Sequence, residues 1–173
     1  MKKFFLTTLA TLSLSVVPAC AQEISGHMGF LLPLVTREAG QTTTLVNELA
    51  YGFPLGITFK GESPLAFDFE VAPEIETAPI KVHATIHPGA VLSLPRGFEV
   101  GLRAAFVPGS DAKFGFTPIF GKTWRLPREL VFFKEYFVEA EIPVRYRRPA
   151  GGPDTVPVAF AMHAGLVFSL REK

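Results

Sequence analysis

Apolar and polar residues alternate along most of this chain with a period of two, the period of a β-strand. The clearest stretch is Leu65 to Val71, where Leu65, Phe67, Phe69 and Val71 share one face and Ala66, Asp68 and Glu70 the other. From Leu45 to Phe59 the odd positions are apolar except Asn47, and the even ones, Glu48 among them, are mostly small or polar. Ile80 to Ser93 sets Val82, Ala84, Ile86 and Leu92 against Lys81, His83, Thr85 and His87, and Phe98 to Phe106 sets Val100, Leu102 and Ala104 against Glu99, Gly101 and Arg103. Tyr136 to Tyr146 opposes Val138, Ala140, Ile142 and Val144 to Glu139, Glu141 and Arg145. Val158 to Leu170 opposes Phe160, Met162, Leu166 and Phe168 to Ala159, Ala161, His163 and Gly165. With two weaker stretches, Ile24 to Val35 and Lys113 to Trp124, the pattern predicts eight strands. Segments rich in Gly, Pro or charge separate them at 37–43, 60–63, 74–79, 95–97, 108–111, 125–134 and 148–154.

What each face carries decides the fold class. The apolar face is crowded with Phe, Leu, Ile and Val, while the opposite face mixes charges with Gly, Ala, Ser and Thr. A soluble barrel or sandwich turns its bulky apolar face inward. Bulk outside and a narrow interior of small and charged residues predict an all-β, closed antiparallel eight-stranded transmembrane β-barrel. Closure supplies the backbone partners that hydrocarbon cannot. Tyr136 and Tyr146 are ten residues apart on the outward face, roughly 25 Å along the membrane normal at the usual rise and tilt. Trp124 and Tyr136, with Phe132 and Phe133, are therefore expected in an aromatic girdle at one interface, and Tyr146 at the other. Pro33, Pro54, Pro88, Pro118 and Pro143 fall inside the proposed strands, where each removes a ladder donor. Bulges absorb such residues, and shorter strands in a soluble periplasmic β-sandwich are the alternative.

The N-terminus changes the chain's address. Lys2 and Lys3 precede an apolar run from Phe4 to Val17 and then Pro18-Ala19-Cys20-Ala21, the order of a secretory signal. The expected organisation is a signal peptide over 1–21 and one barrel domain over 22–173. The run is shorter than the roughly 20 residues of a spanning helix. Cys20 is the chain's single cysteine. Cleavage after Ala21 removes it, leaving no disulfide or thiolate chemistry, whereas a lipoprotein-type reading of Val17-Pro18-Ala19-Cys20 would retain it. Of 17 Lys+Arg, the loss of Lys2 and Lys3 leaves 15 against 16 Asp+Glu, a net charge of −1. That balance argues against a nucleic-acid partner.

Candidate chemistry concentrates on the inward face. Glu48, Asp68, Glu70, Lys81, His83, His87, Glu99, Arg103, Glu139, Glu141, Arg145 and His163 are expected to form a polar network in the lumen, with His27 beside them. Counting along hairpins puts Glu70 near His83 and Glu139 near His163. Such a set invites a metal reading, but His83 and His87 are four apart in a strand, about 13 Å, too far to share one ion. Buried charges that persist because they are paired are the simpler expectation, so no metal or cofactor is assigned. G-x-S-x-G, H-E-x-x-H, Walker and G-x-G-x-x-G motifs are missing from the sequence, and no enzymatic activity is expected. A narrow transport or ligand-binding barrel using the lumen charges is the functional alternative.

The segment His163-Ala164-Gly165-Leu166-Val167-Phe168-Ser169-Leu170 resembles the C-terminal assembly signal of outer-membrane proteins, with His163, Gly165, Phe168 and Leu170 in the signal positions. Arg171-Glu172-Lys173 follow where that family usually ends on an aromatic residue. The mature chain as a whole resembles the porin-like outer-membrane β-barrel superfamily, at the size of its OmpA-type and OmpX-type members. The resemblance implies a monomer in outer-membrane lipid, handled by the barrel-assembly machinery during biogenesis. It carries no catalytic motif and implies a structural or interaction role in the cell envelope.

Overall fold

The computed structural model describes residues 23–77, 79–109, 112–127, 132–148 and 151–171, and the expected signal peptide lies outside them. The elements are β1 (Glu23–Glu38), β2 (Gln41–Thr44), β3 (Ala50–Gly52), β4 (Leu55–Lys60), β5 (Leu65–Thr77), β6 (Ile80–Ser93), a 3-10 turn (Pro95–Gly97), β7 (Phe98–Ala105), β8 (Ala112–Arg125), β9 (Phe133–Glu141), β10 (Val144–Arg147) and β11 (Val158–Arg171). All ladders are antiparallel and belong to one sheet. β2, β3 and β4 run in file along β1, at Val35–Glu38, Leu31 and Glu23–Met28 respectively. β9 and β10 run in file along β8. β11 pairs β9 on one side and β1 on the other, from Ile24↔Arg171 to Arg37↔Val158. The pairings therefore pass through eight positions and return to their start, leaving no long unpaired edge among the described residues.

Burial follows the period of two and selects the polar face for the inside. On β5, Ala66, Asp68, Glu70 and Ala72 are buried, while Leu65, Phe67, Phe69 and Val71 are exposed or half-exposed. On β11 the alternation is steepest, with Phe160 40% exposed and Ala161 and His163 at 0%. Val82, Leu102, Phe114, Phe116 and Phe120 are also exposed on the outer face. The Asp68, Glu139 and His163 side chains lie inside.

The in-strand prolines leave their mark where the N–H is missing, while their carbonyls remain available to neighbouring strands. Pro33 precedes a bulge between Pro33 and Val35. Pro54 separates β3 from β4, yet its carbonyl accepts from Gly29 N at 3.0 Å. Pro88 opens a gap in the β6–β7 ladder between Ile86↔Phe106 and Gly89↔Arg103. Pro118 and Pro143 accept from Ile142 N and Ala159 N, and Pro143 separates β9 from β10.

Three boundaries differ from the sequence expectation. The 37–43 turn contracts to Ala39-Gly40, both at positive φ (49° and 81°), a two-residue hairpin of the kind that matches strand twist. β-branched Thr42, Thr43 and Thr44 are then free to pair with β1. The stretch from Leu45 is not continuous strand, because Thr44 O accepts from both Asn47 N and Glu48 N and folds 45–49 into a turn. The 74–79 turn is shorter than expected: β5 runs through Pro73 to Thr77, and Thr77 pairs Ile80.

Candidate functional site

Long polar side chains fit a narrow interior more readily where a strand beside them has no side chain, and four of them are placed that way here. His27 lies opposite Gly56, Arg103 opposite Gly89, Glu139 opposite Gly121 and Arg145 opposite Gly115. A Cβ at Gly56 would stand 2.2 Å from the His27 ring, and one at Gly89 would stand 2.7 Å from Arg103 Cγ. His163 occupies the space beside Gly29 in the same way. The small residues of the polar face are thus the sockets for its charges.

Arg103 stands at the centre. Its Nε donates to Asp68 Oδ2 at 2.8 Å, and one terminal nitrogen lies 3.6, 3.4 and 3.3 Å from carboxylate oxygens of Glu70, Glu139 and Glu141. Asp68 also accepts from Thr58 Oγ1 at 2.9 Å. His163 Nδ1 lies 3.2 Å from both Glu139 and Glu141, its ring set edge-on to Phe137. His27 Nε2 reaches Glu70 at 3.3 Å. Arg145 donates to His87 Nε2 at 3.1 Å, so the remaining proton of a neutral His87 is on Nδ1 and is donated to Glu70 at 3.0 Å. Arg145 also donates to Thr117 Oγ1 at 3.0 Å. Among these, Asp68, Glu70, His87, Arg103, Glu141 and His163 are at most 2% exposed. Buried charges are tolerated when paired and hydrogen-bonded, and each of these charged groups has such a partner; among the described residues, His163 Nε2 is the one buried polar atom of this network left without one.

Toward the end that carries the turns at 39–40 and 151–157, the network thins. Glu74 pairs His83 at 3.3 Å and accepts from Thr85 at 2.8 Å. Lys81 is exposed at the rim, 3.9 Å from Glu76. Glu38 accepts from Arg147 and from Thr155 Oγ1. At the opposite end, where Glu23 and Arg171 lie, a cavity of about 110 Å³ is lined by Lys60, Glu99, Glu135 and the lower edges of Asp68, Arg103 and Glu139 among others.

Two expected network members sit elsewhere. Glu48 is in the 45–49 turn, off the strand that would have aimed it inward. Lys81 belongs to the solvated mouth. Glu70 meets His87 where the hairpin count expected His83, because the shorter β5–β6 turn shifts the register and gives His83 to Glu74. Glu74, Thr58, Thr117 and Phe137 were not anticipated. Thr58 and Thr117 share the parity of their charged neighbours and were readable on that ground, whereas Pro73 disguised Glu74 as a turn residue.

Glu139, Glu141 and His163 bring ligand-type atoms within 4.8 Å of one another. Arg103 already fills the position a cation would take between those carboxylates, so the set reads as an ion-pair network. Of the expected girdle, Trp124 and Tyr136 stack at 4.9 Å with planes 6° apart. Phe132, Phe133 and Phe168 form a cluster near the same end. Tyr146 lies toward the other end, against Phe114 and bonded to Asp154 and Arg148. Of the expected assembly-signal residues, His163 and Gly165 face inward; a Cβ at Gly165 would strike Met28 O at 2.2 Å. Phe168 and Leu170 face outward.

No protein-family model matches the chain, and no curated protein does. Among solved structures it is similar to the outer membrane protein OprG from Pseudomonas aeruginosa, at 9% identity and a TM-score of 0.44, over 87% of this chain and 97% of that one. It is similar also to the outer membrane protein AlkL, solved in lipid bilayers, at 13% identity and a TM-score of 0.44, over 88% of this chain and 93% of that one. These are loose likenesses, and no residue role passes from either protein to this chain.

Proposed function

We propose that the chain is an eight-stranded outer-membrane β-barrel whose lumen is closed by its own side chains, with a structural or interaction role in the cell envelope. One observation carries the reading: the ring of ladders puts Phe and Leu on its outside and an Arg103-centred set of carboxylates and histidines on its inside. In water that arrangement exposes apolar area around the ring while burying charge, and both terms are unfavourable. Surrounded by lipid, the first becomes favourable and the second is confined to an enclosed, paired interior. Export through a signal peptide over 1–21, handling by the barrel-assembly machinery and a monomeric state complete the proposal. It assigns the chain no enzymatic activity, cofactor or metal.

The test is extraction and migration. The mature protein should leave membranes only with detergent and should run differently on gels before and after boiling. Release by salt or alkali, with identical migration, rejects the barrel. The cavity at the Glu23 end supports a second reading, a shallow ligand-binding barrel for a small polar solute. It is separated by titrating such solutes against the protein in detergent, while single-channel recordings test the closed lumen.

A further inference from the structure

The outer face carries an oddity that the lumen does not explain. Setting aside the first two and last two residues of each strand, Lys122 is the one charged side chain on that face among the described residues. It follows exposed Phe116 and Phe120 on β8 and precedes Trp124. Across the ladders its neighbours are Phe98 and Val138. Its ammonium lies 4.2 Å from the Phe98 ring centroid and 5.5 Å from that of Trp124. No carboxylate pairs with it among the described residues.

We infer that Lys122, held between Phe98 and Trp124, is a docking point on the barrel wall for the phosphate of a net-anionic glycerophospholipid. The inference rests on the membrane reading above. The Trp124–Tyr136 stack sets the level of the interface, and Lys122 lies one pleat inside it. A lysine at that depth is tolerable because its stem lies on apolar surface while its head reaches polar groups. Here the head is clamped over two rings instead of extended into water, which favours a cation retained in place. The charge it lacks is negative. Two further exposed cations flank it at the same end: Arg96, in the turn whose Gly97 packs on Thr123 O, and Arg125, 92% exposed and only loosely set against Glu135 at 4.0 Å. Lys122, without a carboxylate partner among the described residues, and the exposed Arg96 beside it match a phosphate ester with net negative charge better than a zwitterion.

Trp124 is the chain's single tryptophan, so its emission reports on this site directly. The protein is refolded into phosphatidylcholine vesicles containing a small fraction of either phosphatidylglycerol or phosphatidylcholine that bears a nitroxide near the headgroup. Half-quenching of Trp124 should need about fivefold less labelled phosphatidylglycerol, the selectivity expected of one cation beside an anionic lipid. Lys122→Gln should abolish the difference and Lys122→Arg should keep it. Equal quenching by the two labelled lipids in the unmodified protein overturns the inference, as does displacement of the labelled anionic lipid by millimolar inorganic phosphate. Quenching by neither lipid would instead remove the membrane reading itself.

Discussion

The molecule contains the same pair twice, in opposite surroundings. Arg103 and Asp68 meet at 2.8 Å inside the ring with side chains 3% and 2% exposed, and Arg148 and Asp154 meet at 3.0 Å on a loop with side chains 63% and 44% exposed. The loop pair has the better local geometry, with two parallel contacts from Arg148 to the carboxylate and Tyr146 OH bonded to both partners. Local geometry nevertheless does not rank them. Water and salt screen the loop pair, which leaves it little to contribute. Arg103 is almost fully enclosed, so its removal strands four carboxylates in a confined space.

Breaking the inner pair therefore gives the largest expected effect. Arg103→Met should destabilise the folded protein by about 3–5 kcal/mol, the usual consequence of leaving buried charge unpaired. Urea unfolding in detergent or vesicles, followed by the gel shift on boiling, measures it. Adding Asp68→Asn and Glu139→Gln to the same protein should recover part of the loss, because two of the four stranded charges are then gone while Glu70 and Glu141 keep His87 and His163 as partners. If the single variant unfolds at the unmodified protein's urea midpoint, the network is not what closes the interior.

Next comes the socket rather than the charge. Gly121→Leu puts a side chain where a Cβ alone would lie 2.9 Å from Glu139 Cγ, and overpacking of that kind costs about 1–3 kcal/mol. The same substitution at Gly40 on the hairpin tip meets no steric neighbour within 4 Å and fails only through its positive φ of 81°. Comparing the two separates packing from backbone strain. A smaller loss, about 1 kcal/mol, is expected for Thr117→Val, which keeps shape and removes one acceptor of Arg145.

These sockets show how far the sequence could be read. The assignment of side chains to faces was legible because alternation is local: Phe67 and Asp68 declare opposite sides without reference to any other strand. Which partner each charge meets was not, since cross-strand contact depends on turn length. One shortened turn moved Glu70 from His83 to His87, and one unforeseen turn at 45–49 removed Glu48 from the interior. Prolines obscured boundaries for a related reason. Pro73 reads as a breaker, but the strand continues because its carbonyl still accepts from Phe53 N. The glycine sockets were visible as small residues on the polar face, yet their one-to-one pairing with His27, Arg103, Glu139 and Arg145 emerges only with register.

The smallest effect belongs to the loop pair, and its pH dependence distinguishes it from the interior. Hydrogen bonds from Arg148 and then Tyr146 hold the Asp154 carboxyl below its usual range, and the same contacts raise Arg148. A carboxyl whose folded value is depressed contributes stability that is fully present above its unfolded value and is lost as pH falls through the folded one. The difference between the unmodified protein and Arg148→Ala should therefore be small at neutral pH, shrink with added salt, and vanish below the carboxylate range. Unfolding midpoints across an acid series at two ionic strengths supply the measurement. A difference that is large, or that persists undiminished in acid, would mean the loop pair anchors something beyond itself and that exposure is the wrong basis for ranking the two.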